Sequence, residues 1–309
     1  QVAGKTKEKT QWKEFLEAVS TLQWVISFLL LGKIQLHLLF TLNIMSNDHF
    51  CYAVDSQFHH CRKTTFVRRW KVWEHFRDFF PIKLVKTAEL NPNKNYILGC
   101  HPHGIMSTGA FACFSTESCG FTELFPGLRA SLAVLAGLFR VPLLREYLMC
   151  AGIYNDVKVS FQSVNRGGAA ESLASSPGVN AVVMRQRKGF VRVALEFGAD
   201  LVPVYSFGET GLFQQVVFSE GSLGRRLQNL FKRMMGFAPC LFLGERWAFL
   251  PYRTPVTTVG DPISVPKRTA PTQEEVDHYH RLYMEGLSKL FHEHKVHCGL
   301  SESHKLQIL

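Results

Sequence analysis

The apolar positions of this 309-residue chain change their spacing along its length, and each spacing predicts a different element. Trp12, Phe15, Leu16 and Val19 recur at helical intervals among Lys5, Lys7, Lys9 and Lys13, which suits a short amphipathic lead-in over residues 1–20. Residues 22–45 are apolar over a length that could embed in a bilayer, which needs about 20 such residues. Lys33, Gln35 and His37 nevertheless sit in the middle. A charge at mid-bilayer is costly, so the run predicts a membrane hairpin or re-entrant segment over 21–46, with Gly32 and Lys33 near the headgroups. A buried core helix is the competing reading. In residues 66–86, Phe66, Trp70, Trp73, Phe76 and Phe80 fall three or four apart with basic residues on much of the other face. This predicts a helix ended by Pro81 that either lies in a membrane interface or packs its aromatic face on the domain.

From Ile82 onward short apolar runs alternate with helical stripes, the pattern of an α/β domain. Strands are expected over 96–98, 157–161, 181–184, 201–205, 241–243 and 256–259. Helices are expected over 107–114, 128–138, 143–150, 189–197 and 223–235. The last helix is the best marked: Thr272-Gln273-Glu274-Glu275 reads as a capping box ahead of the stripe Val276, Tyr279, Tyr283, Leu287 and Leu290. The chain therefore divides into an N-terminal segment (1–20), a membrane-embedded segment (21–46), a linker with an amphipathic helix (47–81) and a catalytic-sized domain (82–309).

A net charge of +10 adds an anionic partner: nucleic acid, a membrane surface or a phosphate-bearing ligand. The eight cysteines are scattered, with no C-x-x-C pair, and read as reduced thiols facing the cytosol. No small-residue cleavage pattern follows the first apolar run, so no cleavable signal peptide is expected. His59-His60-Cys61 and His292-Glu293-His294 lack the rest of a metal site and read as surface residues. Nucleotide-binding glycine loops, a G-x-S-x-G elbow and H-E-x-x-H are all absent from the sequence.

Four stretches can carry chemistry. Tyr96 to Gly104 is a strand-like run that delivers His101 and His103 onto a turn, where an imidazole could take a proton and return it. Arg166-Gly167-Gly168-Ala169-Ala170-Glu171 sets small residues beside a carboxylate, allowing backbone N–H groups to meet an oxyanion. Arg185, Arg187, Lys188 and Arg192 surround a helix start, an arrangement suited to phosphate. Leu201 to Glu209 is an apolar strand ending in a polar edge that includes Tyr205 and Glu209. Each stretch also has a plain structural reading as a turn, a capped helix, a solvated basic face or a core strand.

Taken together, HPHG at 101–104, GGAAES at 167–172, RKGFVRVAL at 187–195 and GADLVPVYSFGE at 198–209 resemble the diacylglycerol acyltransferase type 2 family, which includes monoacylglycerol and wax-alcohol acyltransferases. The resemblance implies an α/β fold, with a glycerolipid-acyltransferase-like sheet flanked by helices and an N-terminal membrane hairpin. It further implies an endoplasmic reticulum membrane protein, also able to reach lipid droplets, that esterifies diacylglycerol or monoacylglycerol from acyl-CoA. In that scheme His101 and His103 are catalytic, assisted by Glu171. The amides of Gly104, Gly167 and Gly168 would stabilise the oxyanion, and Arg187, Lys188 and Arg192 would meet coenzyme A. Tyr205 and Glu209 would form the acceptor or structural edge of the site. Partners are acyl-CoA, an acylglycerol and membrane lipid; neither nucleic acid, metal nor a further cofactor is required, and an oligomer is compatible. Between Ile153 and Arg166 the chain is shorter than the family pattern, which keeps an inactive, membrane-binding relative as the alternative.

Overall fold

The computed structural model describes residues 10–42, 66–134, 153–155, 178–216, 218–219, 221–235, 242–245, 250–252, 257–260 and 262–309. Its first element is a single helix, α1, over Gln11–Leu42. It crosses the boundary expected after residue 20, and Gly32 and Lys33 lie inside it rather than at a reversal. The sequence contains no proline here, and one mid-helix glycine costs only about 1 kcal/mol relative to alanine, too little to break 32 residues of helix. Among the described residues, no helix is long and apolar enough to cross a membrane.

A 3-10 turn at Val67–Arg69 leads into α2, Lys71–Phe79, which buries Trp73, Phe76 and Phe79. Trp24 of α1 meets Phe76 and Phe111 at ring-centroid distances of 4.9 and 5.3 Å, and Lys13 pairs with Asp78 at 3.0 Å. The aromatic face of 66–86 is thus mainly a packing face; only Phe66 and Trp70 remain exposed. The helix stops before Pro81, as expected, and Lys83–Lys86 forms strand β1.

β2 is Tyr96–His101, entirely buried. Helix α3 begins at Thr108–Ala110 and widens into a π turn over Phe111–Ser115, followed by α4 at Phe121–Leu124. The helix expected over 128–138 is not formed in its described part: Leu132–Val134 is strand β3, parallel to β4 at Ile153–Asn155. Leucine and alanine favour helix intrinsically, and here strand pairing overrides that preference. β5 (Ala181–Val182), α5 (Gly189–Phe197) and β6 (Asp200–Phe207) follow. Next come β7 (Gln214–Gln215), α6 (Leu223–Met235), β8 (Phe242–Leu243) and β9 (Thr257–Gly260). The chain closes with α7 (Gln273–His294) and β10 (Gln307–Ile308). The capping box of α7 forms as expected: Glu275 N–H donates to Thr272 Oγ1 at 3.2 Å, and Thr272 N–H donates to Glu275 Oε2 at 3.0 Å. The segments expected as helix 143–150 and strand 157–161 lie outside the described residues.

The main sheet has the order β1-β9-β6-β2. β2 and β6 are parallel, in register from Tyr96↔Asp200 to His101↔Tyr205, while β9 is antiparallel to β6. Side-chain alternation along these strands separates two cores. Leu98, Cys100, Val202 and Val204 face the aromatic cluster of Trp24, Trp73, Phe76 and Phe111. Ile97, Leu201, Tyr205 and Phe207 face α5 and α7 through Val191, Leu195, Tyr283, Leu287 and Phe291.

Candidate active site

Parallel pairing sets the C-terminal ends of β2 and β6 side by side, the edge at which α/β sheets present ligand-binding loops. His101 is the last residue of β2 and is only 2% exposed. Its Nε2 lies 3.2 Å from the Tyr283 hydroxyl of α7, which donates to the Gly99 carbonyl at 2.9 Å. With the phenol's only proton committed to Gly99, its oxygen is the acceptor, so the hydrogen sits on His101 Nε2. A Cβ on Gly99 would collide with the Tyr283 hydroxyl, which fixes glycine at that strand position.

His103 follows the cis His101–Pro102 peptide and is half-buried. Its Nδ1 lies 3.0 Å from the Gly104 carbonyl. A carbonyl can only accept, so Nδ1 carries the hydrogen and the basic lone pair of the neutral ring sits on Nε2. Beyond it Gly104 takes φ +61° and Ser107 takes φ +51°, two left-handed positions within four residues. Ser107 returns both its N–H and its hydroxyl to the His103 carbonyl at 3.1 Å.

Glu209 reaches this turn from the far side. It follows β6 directly, after Gly208 at φ +88°, and is 3% exposed. Its Oε1 accepts from Thr108 N–H at 2.6 Å and its Oε2 from Gly109 N–H at 2.8 Å. Burial lifts its carboxyl from the ordinary 4.5 to about 7, against the opposing pull of the Gly109 and Thr108 N–H bonds. Glu209 thus packs against the turn that follows the two histidines. Tyr205 is different: its ring packs 4.6 Å from Phe207 and 5.0 Å from Phe291, and its hydroxyl donates to Asn180 Oδ1 at 3.3 Å. Strand register turns Tyr205 toward α7 and into the core, beside its register partner His101.

The basic residues gather at the start of α5. Lys188 Nζ is 2.8 Å from Asp277 Oδ1 and Arg192 Nη2 is 3.0 Å from Gln273 Oε1, so both are engaged by the first turn of α7. Arg187 stands half-buried beside them. Phe190 packs edge-on against Tyr283 at a ring-centroid distance of 4.9 Å, and Tyr283 in turn touches His101. The histidine turn and the basic helix start thus share one end of the sheet. Gly167, Gly168 and Glu171 lie outside the described residues.

Tyr283 is the site residue that sequence reasoning missed. It was legible only as one member of the apolar stripe of α7, and nothing in its spacing marks the hydroxyl as a partner of His101. Among the described residues no cluster of three or more His, Cys, Asp or Glu could hold a metal ion. A cavity of about 30 Å³ lined by Leu84, Leu98, Phe114, Phe121 and Val202 lies on the aromatic face of the sheet. His101 points to the opposite face, so this cavity is separate from the site.

The family model for diacylglycerol acyltransferase matches residues 29–309. The chain belongs to the diacylglycerol acyltransferase family. Within that family it is 48% identical over 322 residues to human diacylglycerol O-acyltransferase 2, covering 95% of this chain and 82% of the relative. It is 46% identical over 328 residues to human 2-acylglycerol O-acyltransferase 3, covering 96% and 95%. Among solved structures, the 1-acyl-sn-glycerophosphate acyltransferase PlsC of Thermotoga maritima aligns with a TM-score of 0.40 at 13% identity, covering 91% of this chain and 97% of that one. As a member of the diacylglycerol acyltransferase family, the chain is an acyltransferase.

Proposed function

We propose that the chain transfers a fatty acyl group from acyl-CoA to the hydroxyl of a diacylglycerol or monoacylglycerol, on the route to triacylglycerol, with His103 as the general base. The observation that carries this reading is the opposed setting of the two histidines. His101 is turned inward and donates to Tyr283, whereas His103 lies at the turn with its lone pair on Nε2. An alcohol is too weakly acidic to attack a thioester unaided, so the imidazole removes its proton as the new C–O bond forms. The tetrahedral intermediate then expels coenzyme A as a thiolate, which takes the proton back from the imidazolium. The thioester supplies the activation, and no metal or further cofactor is called for.

The Gly104 amide, with Gly167 and Gly168, is the proposed oxyanion donor set, each such donor typically contributing about 3 kcal/mol. Glu171 is the proposed stabiliser of the imidazolium. Arg187, Lys188 and Arg192 are proposed to meet the coenzyme A phosphates. The bond of Lys188 to Asp277 is a partly exposed ion pair, weak enough for an incoming phosphate to displace.

The site is proposed to work at the endoplasmic reticulum membrane and on lipid droplets. Exposed Trp12 and Phe15 on α1, exposed Phe66 and Trp70 beside α2, and exposed Leu223, Leu227 and Leu230 on α6 support contact with lipid. The α6 leucines fall at i, i+4 and i+7, with Arg225 and Arg226 on the same helix, the composition of a helix lying in a bilayer interface.

Microsomes carrying this chain, given labelled acyl-CoA with diacylglycerol or monoacylglycerol, should form labelled ester. His103→Ala should lower that rate by about 10²–10⁴-fold, the usual contribution of a general base. Ester formation that survives this substitution would exclude His103 as the base, and a correctly folded wild type that forms no ester would exclude the activity.

A further inference from the structure

We infer that Glu209 is a positioning residue for acyl transfer: its carboxylate grips the Thr108 and Gly109 amides and fixes the bend from Gly104 to Ser107 that presents His103. This inference rests on the reading of His103 as the base.

Three observations converge on it. First, the bend contains a non-glycine residue, Ser107, in the left-handed region, a strained conformation that persists only where its surroundings enforce it. Second, α3 begins at Thr108 without a side-chain cap of its own, although Ser107 occupies the capping position. Ser107 instead spends its hydroxyl on the His103 carbonyl, tightening the turn. The amides of Thr108 and Gly109 therefore take their acceptors from the turn that follows β6, through Glu209 at 2.6 and 2.8 Å. Third, Glu209 also touches the beginning of the bend: a Cβ on Gly104 would come within 2.7 Å of Glu209 Cγ. One side chain thus braces both ends of the segment between His103 and α3, and ties the end of β2 to the end of β6.

A local serine or threonine cap would satisfy the same amides without burying an ionisable group. What the remote carboxylate adds is a fixed distance between two strand ends. Displacing a reacting group by about 1 Å can cost on the order of 10²-fold in rate, so the grip acts on catalysis through the placement of His103.

The test uses the full chain in microsomes, with activity expressed per folded enzyme. Glu209→Ala should lower kcat by about 10–100-fold with the KM for acyl-CoA unchanged. Glu209→Gln keeps the length but only one acceptor, and should fall between alanine and wild type. Gly104→Ala should lower kcat strongly in the wild-type background and less in the Glu209→Ala background, because the crowding partner is gone. Amide exchange at Thr108 and Gly109 should accelerate in Glu209→Ala while exchange along β2 stays slow. A kcat within twofold of wild type, multiplicative effects of Gly104→Ala and Glu209→Ala, or unchanged exchange at the two amides would each overturn the inference. If His103→Ala retains activity while Glu209→Ala loses it and frees the amides, the clamp stands and the assignment of the base fails.

Discussion

Glu209 also couples stability to pH in a direction opposite to that of most carboxylates. Its carboxyl is lifted to about 7 chiefly by burial, so the fold favours the protonated form. The stabilisation associated with that proton is complete below about 4.5 and is lost as pH rises toward 7 and beyond. A displacement of this size corresponds to about 3 kcal/mol. His280, lowered mainly by burial, acts the other way, since its neutral form is favoured and stability falls as pH drops below its ordinary 6.5. Comparing wild type with Glu209→Gln removes that background. The advantage of wild type over the variant should be larger at pH 5 than at pH 8 by about 2.5 kcal/mol, and an equal difference at both pH values would refute the assignment. At this scale the sequence was informative where a motif is contiguous, as with His101, His103 and Gly104. It was silent where partners are distant, as with Tyr283. Of the two readings the sequence left for Tyr205, an acceptor or structural edge and a plain core strand, the period-2 register of β6 favours the core.

Helices with strong internal signals were legible to the residue: α5 and α6 match their expected bounds, and the Thr272 capping box starts α7. Errors cluster where intrinsic preference and tertiary pairing disagree. Leu132 to Val134, inside an expected helix, became β3 by pairing with β4. Arg68 illustrates a related failure. In the sequence it belongs to a basic flank, but it is buried, donating to Glu117 Oε1 at 3.2 Å and to the carbonyls of Phe114 and Ala130 at 3.0 Å each. It thereby joins the turn before α2 to the far end of α3 and to the chain leading into β3. Arg68→Met would leave the Phe114 and Ala130 carbonyls without this donor and remove the cation beside Glu117, and unfolding in denaturant should show a loss of about 3–5 kcal/mol. A loss below about 1 kcal/mol would mean that the pair behaves as an ordinary surface contact.

Across the whole molecule, β2 and β6 were each readable as strands from their apolar runs, and the mixed α/β architecture followed from the alternation of elements, whereas the parallel pairing of the two strands came from the structure. The continuity of α1 was not readable, because Lys33 in an apolar run argued for a reversal that the helix does not make. Lipid contact can be tested through α6. Phosphatidylcholine–phosphatidylserine vesicles should slow amide exchange over 223–235, and the double substitution Leu227→Ser, Leu230→Ser should abolish the protection. Equal protection of the substituted helix would show that the leucine face is not what meets the lipid.

Trp24 gives the first helix a second duty. Its indole fills the gap between Phe76 and Phe111, and Phe111 sits in the π turn that continues from the histidine bend. Trimming the chain past that tryptophan in search of a detergent-free enzyme would therefore strip a wall from the catalytic module, and any shortened form meant to stay active has to keep the indole in its slot.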